Sequence, residues 1–285
     1  MTASNPPRDE PRIHLDSTAH LMNSISSQLA GRLRLVSPIG RRPARPALVL
    51  VAHGSRDPRA LDTVRALLDR VRELRPALPL HLCHIELNEP LLPDTLAALG
   101  DTPAVLVPLL LGRGYHVKQD IPEMAAAAPA RTRVAAPLGP HPLLVDALHT
   151  RLTEAGWPTT MDATTRRATA VVLAAAGSRD PDSATDTRRT ARLLADRLGV
   201  PVVPAYASAA APTVETALRA LAARGRHRVA IASYFTAPGR FATQCATQAP
   251  WLASAPLGAQ DSMAHLILHR YDQAQATKEA ELASA

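Results

Sequence analysis

Three titratable side chains in the first half of the sequence have the types and the placement to do chemistry: His53, Glu86 and His116. His53 follows an apolar run over residues 47–52 and opens the turn Gly54-Ser-Arg-Asp-Pro58. Glu86 stands at the end of a second run, 80–87, in Glu86-Leu-Asn-Glu-Pro90. His116 follows a third run, 104–111, inside Gly112-Arg-Gly-Tyr-His116. Two imidazoles and a carboxylate suit a divalent transition metal with open coordination positions. They equally suit proton transfer near neutral pH. Glu89 competes with Glu86 for the carboxylate role, and Glu86 is preferred. His84 shares the strand parity of Glu86 and reads as its neighbour, while His81 and His141 read as surface residues.

These groups need a scaffold that brings distant residues together. A continuous apolar run closed by a turn reads as a buried strand of a parallel sheet. In such sheets ligands bind beyond the carboxyl ends of the strands, so three successive strand ends share one edge. The intervening segments read as helices. Leu61, Val64, Leu67, Leu68, Val71 and Leu74 recur at helical spacing after Asp57-Pro58, a capping carboxylate followed by proline. Further helices are expected over 91–99 and 142–155, with a fourth, short strand over 133–137.

The pattern then repeats. Val172-Leu-Ala-Ala-Ala-Gly-Ser-Arg-Asp-Pro181 restates the first strand and turn. Strands are expected over 170–175, 200–207 and 229–235, helices over 184–198, 213–223 and 263–271, and a loop with a helix over 239–247. The alternation predicts an α/β protein of two tandem Rossmann-like domains, with parallel sheets flanked by helices and the active cleft between them. The expected divisions are an N-terminal extension with a Pro/Arg linker over 1–46, a catalytic domain over 47–157, a linker over 158–168, a degenerate repeat over 169–272 and a frayed tail over 273–285. A short amphipathic helix fits residues 20–35. Superposing the two copies by sequence sets Ala176 against His53, Ala207 against Glu86 and Phe241 against His116. All three polar groups vanish together, so the first copy carries the site. The retained Gly-Ser-Arg-Asp-Pro reads as turn and cap chemistry, or as anion binding by N–H groups at a helix start.

The formal net charge of +7 is carried almost wholly by arginine, with lysine only at Lys118 and Lys278. Excess arginine suits nucleic acid, an anionic small molecule, or merely the coding bias of a GC-rich genome. The arginines are scattered and aromatics are only 3% of the chain, which argues against nucleic acid. No apolar stretch reaches the ~20 residues that span a bilayer. Two cysteines, one in each half, do not make a disulfide framework. A cytoplasmic protein is expected.

Val51-Ala-His-Gly-Ser-Arg-Asp57, Ile85-Glu-Leu-Asn-Glu-Pro90 and Pro108-Leu-Leu-Leu-Gly-Arg-Gly-Tyr-His116 together resemble the sirohydrochlorin chelatases of the CbiX/SirB type. The resemblance covers about residues 47–270, as two chelatase-like units in tandem. It implies ATP-independent insertion of a divalent metal into the tetrapyrrole sirohydrochlorin: Fe²⁺ towards siroheme or Co²⁺ towards cobalamin. It further implies that His53, Glu86 and His116 handle the metal and its displaced protons. No Gly-x₄-Gly-Lys-Ser/Thr pattern occurs, in accord with chemistry without ATP. Ser55, Arg56, Arg113 and Lys118 are candidates for the substrate carboxylates. The second unit is expected to be a catalytically empty partner that closes the cleft, so a monomer suffices. A non-catalytic metal or tetrapyrrole carrier on the same fold is the alternative.

Overall fold

The alternating pattern resolves into two four-stranded parallel sheets in the computed structural model, which describes residues 45–129 and 131–283. The helix expected near residues 20–35, and the extension expected over 1–46 except for its last two residues, lie outside the described residues. The first sheet holds β1 (Ala47–Ala52), β2 (Leu80–His84), β3 (Ala104–Pro108) and β4 (Thr132–Val134), in the order β2-β1-β3-β4. Its helices are α1 (Pro58–Leu74), α2 (Leu92–Leu99), α3 (Ile121–Ala126) and α4 (Pro142–Glu154). A short helix α5 (Ala163–Ala168) occupies part of the expected linker. The second sheet holds β5 (Thr169–Ala175), β6 (Val202–Tyr206), β7 (Arg228–Tyr234) and β8 (Leu252–Ala253), in the order β6-β5-β7-β8. With it go α6 (Pro181–Leu198), α7 (Val214–Ala222), α8 (Arg240–Ala246) and α9 (Asp261–Ala283). The last helix therefore continues past residue 273, where fraying was expected. Among the described residues no helix is long and apolar enough to cross a membrane.

Strand parity decides what each face covers. Leu48, Leu50 and Ala52 of β1 share one core with Val171, Leu173 and Ala175 of β5. Val49 and Val51 point the other way, onto Leu92 and Leu96 of α2 and Ile121 of α3. Val172 and Ala174 likewise cover Val214, Ala217 and Leu221 of α7. The central strands are thus buried on both faces, which is why they read as unbroken apolar runs.

The helices between the sheets are exchanged. The closing helix of the second half, α9, packs on α1 and β3 of the first. The closing helix of the first half, α4, packs on α6 and β7 of the second. Polar contacts pin the exchange. The Tyr271 hydroxyl donates to the Pro46 carbonyl at 2.6 Å, Arg70 meets Asp261 at 2.6 Å and Arg75 meets Asp272 at 2.6 Å. A boundary drawn by sequence at 158–168 thus separates α4 and α9 from the sheets that they cover.

Two strands stop earlier than their apolar runs. β2 ends at His84 and β3 at Pro108. Beyond them single bonds tie the chain to β1 and the residue after it: Ile85 N–H to Ala52 O, Glu86 N–H to His53 O and Leu109 N–H to Val51 O. These bonds draw the ends of β2 and β3 to the end of β1, which lies between them. Gly54 makes the approach possible. Its φ is +101°, and a Cβ there would come within 1.8 Å of the Glu86 carbonyl oxygen. Gly177 repeats the arrangement against Ser208.

Gly54→Ala should therefore destabilise the fold by roughly 2 kcal/mol or more, read by denaturant unfolding. An unchanged midpoint would contradict the close approach. Cys83 and Cys245 are buried and unpaired, and burial pushes the Cys83 thiol up to about 12 and raises that of Cys245. The native chain at pH 8 should resist a thiol-reactive dye that labels both cysteines once guanidinium unfolds it. Rapid native labelling would contradict this burial.

Candidate active site

The strand order reverses between β1 and β3, and there an open parallel sheet forms its crevice. His53 follows β1 directly. His116 lies in the segment after β3. Their rings meet edge to face, with centroids 4.8 Å apart and planes at 87°. Glu86, two residues beyond β2, sets Oε1 3.6 Å from His53 Nδ1. The three residues expected to form the site stand together at one sheet edge. Glu89 does not join them: its Oε2 accepts the Leu91 N–H ahead of α2.

Each imidazole has a carboxylate beside Nδ1. His116 opens a single π-helical turn, His116–Asp120, closed by the bond from Ile121 N–H to the His116 carbonyl. Pro122 has no N–H and would crowd the carbonyl four residues back in an α-helix, so a wider turn precedes it. In this turn Asp120 Oδ2 lies 2.5 Å from His116 Nδ1. Asp120 was missed in the sequence, although its i, i+4 spacing from His116 was the available signal. A carboxylate only accepts, so the His116 proton belongs on Nδ1 and the lone pair on Nε2. The neighbours of His53 Nδ1 are the Gly54 carbonyl at 3.4 Å and Glu86, both acceptors. His53 therefore also keeps its lone pair on Nε2. Among the described residues no three His, Cys, Asp or Glu side chains form a ready-made metal cage.

A cavity of about 660 Å³ opens over this edge. His53, Arg56, Leu87, Tyr115 and His116 line it from the first half, and Phe241 does so from the second. His84, the last residue of β2, lines it too. His84 is buried, and desolvation lowers its pKa. His141 is not a simple surface residue: its Nδ1 accepts the Leu143 N–H at 3.2 Å and caps α4. His81 is half-buried on β2.

The expected anion-binding residues divide into two groups. Ser55 lines the cavity, and its hydroxyl accepts the Asp57 N–H at 3.1 Å while its own N–H donates to Asn88 Oδ1 at 2.7 Å. Ser178 receives the Asp180 N–H in the same way. The shared Gly-Ser-Arg-Asp-Pro is thus built as a turn and helix cap. Arg56 is exposed on the cavity wall. Arg113 and Lys118, in contrast, are taken up by carboxylates of the second half, Arg113 by Asp186 and Lys118 by Asp180 and Asp182. These partners raise the pKa of both cations and hold the Asp180 and Asp182 carboxyls below the usual range.

The second half supplies no equivalent of the site, with one correction to the alignment. Glu86 N–H bonds to the His53 carbonyl, and Ser208 N–H bonds to the Ala176 carbonyl. Ser208, not Ala207, therefore stands opposite Glu86. The distance to the next proline, Pro90 or Pro212, would have set this register. The Ser208 hydroxyl is turned back onto the Ala176 carbonyl at 3.0 Å.

Comparison with known proteins agrees with this architecture. The chain is 27% identical over 205 residues to a sirohydrochlorin cobaltochelatase of Priestia megaterium, covering 68% of this chain and 65% of that protein. It is 31% identical over 175 residues to a sirohydrochlorin ferrochelatase of Bacillus subtilis, covering 58% of this chain and 64% of that protein. The match thus spans slightly under two thirds of either relative. The solved structure of SirB from Bacillus subtilis with Fe³⁺ superposes with a TM-score of 0.66 at 24% identity, over 83% of this chain and 98% of that one, and so shares the fold. The CbiX family model matches residues 47–155 and again 170–274, one match for each half, and on that double match the chain belongs to the CbiX family.

Proposed function

We propose that this chain is a sirohydrochlorin chelatase, inserting a divalent metal ion into the tetrapyrrole without ATP. The observation that carries the reading is the His53–His116 pair, 4.8 Å apart in a cleft built from both halves, with a carboxylate beside each ring. Relatives named for cobalt and for iron insertion support both Co²⁺ and Fe²⁺ as the metal substrate. The cleft is made within one chain, so a cytoplasmic monomer suffices.

The chemistry follows from the tautomers. The Nε2 lone pairs of His53 and His116 replace water on the incoming ion. Two imidazoles hold an ion less firmly than a closed cage, which suits an ion that must be handed on. Insertion also requires the two pyrrolic protons to leave the macrocycle. An imidazole that takes such a proton at Nε2 loses its lone pair, so proton uptake and release of the metal into the ring are one event. Glu86 and Asp120 stabilise the imidazolium ions that form. Arg56 and Arg240, both on the cavity wall, are placed to meet the carboxylates of the macrocycle rim.

Anaerobic, ATP-free insertion followed by absorbance, with Fe²⁺ and Co²⁺ side by side, tests the proposal. His53→Ala and His116→Ala should each slow insertion by about 10²-fold or more with an unchanged thermal melt. Asp120→Asn should slow it by about tenfold and shift the pH–rate profile, because the amide can hold the other tautomer. Full activity in His53→Ala would overturn the assigned site. Tight tetrapyrrole or metal binding with no acceleration would replace the enzyme with the carrier.

A further inference from the structure

Resting on the chelatase reading, we propose that the second half, empty of chemistry, is the positioning element for His116, and that Asp186 with Asp180 and Asp182 clamps the loop that carries it. The loop runs from the end of β3 to the π-helical turn, and the second half holds it at three places. The buried Tyr234 hydroxyl donates to the Leu111 carbonyl at 3.0 Å and is itself partnered by Thr190 Oγ1 at 3.1 Å. Asp186, on α6 and with its side chain only 5% exposed, takes three bonds from Arg113. Its Oδ2 accepts the backbone N–H at 2.9 Å and Nε at 3.0 Å, and its Oδ1 accepts Nη2 at 2.8 Å. Lys118 Nζ lies 2.7 Å from Asp180 Oδ2 and 2.8 Å from Asp182 Oδ2. Arg113 and Lys118 flank His116 on either side in the chain, so the imidazole sits inside a segment tied at both ends to the opposite half.

The arrangement runs one way only. Asp180, Asp182 and Asp186 stand opposite Asp57, Arg59 and Thr63 of the first half. There Asp57 pairs with Arg59 beside it, and the Thr63 hydroxyl donates to the Arg59 carbonyl. Arg113 and Lys118 stand opposite Pro238 and Thr243, which carry no charge to clamp. The half with the imidazole has the cations, and the half without it has the carboxylates. A bidentate guanidinium–carboxylate pair fixes direction as well as distance, which is what a metal-handing imidazole needs.

The test reads catalysis and loop order separately. Asp186→Asn should slow insertion by about tenfold or more, leave tetrapyrrole binding within about threefold, and speed amide hydrogen exchange over residues 112–122 but not in β1 or β5. If Asp186→Asn folds poorly, the exposed pair takes its place. Lys118→Glu should slow insertion, and adding Asp182→Lys should restore most of it, which loss of a merely structural contact to solvent would not predict. Unchanged insertion in both Asp186→Asn and Lys118→Glu would overturn the clamp, as would faster exchange without slower insertion. A wild-type chain that inserted no metal would sink the chelatase reading, while exchange over 112–122 in the two variants would still decide whether the clamp orders the loop.

Discussion

Parallel pairing of β1 with β3 is the constraint on which the site depends. Val51 lies beside Pro108 in that register, so the chain leaves both strands at the same level and the two following segments must share one crevice. His53 comes at once, in a turn that only glycine at position 54 allows. His116 comes later, after a loop that needs a partner to hold it. Hydrophobic burial fixes the strands, since β1 and β5 are closed on both faces. The side chains at their ends are left to polar contacts, and there the two halves differ.

Duplication explains the difference. Two copies of one α/β unit, each with its closing helix laid on the other's sheet, cannot drift apart without opening the shared core of Leu48, Leu50, Val171 and Leu173. One copy could then lose its site at no cost to the cleft. The positions opposite His53, Glu86 and His116 hold Ala176, Ser208 and Phe241, while α6 and its cap present Asp180, Asp182 and Asp186 to the loop across the interface. The half without the two imidazoles carries the carboxylates that pair with Arg113 and Lys118 of the half that has them.

Much of this was legible in the sequence, for identifiable reasons. β1 and β5 were read correctly because burial on both faces leaves unbroken apolar runs. His53, Glu86 and His116 could be singled out because the repeat gives each strand end an internal comparison, and the fold brings the three together. The ends of β2 and β3 were read too long, since Ile85, Glu86 and Leu109 each keep one bond to β1 or the residue after it once the ladder stops. The exchange of α4 and α9 was invisible, because an apolar stripe on a helix does not say which sheet it covers. Arg113 and Lys118 looked like substrate ligands because a sequence shows a cation but not the carboxylate facing it from another element.

The central claim is that the His53–His116 pair receives the metal ion on its way to the macrocycle. X-ray absorption at the cobalt edge, on the whole chain loaded with Co²⁺ alone, tests it most directly. The account predicts imidazole nitrogen scattering that weakens in either single histidine-to-alanine variant and disappears in the double variant. Cobalt that kept the same imidazole coordination in the double variant would contradict it.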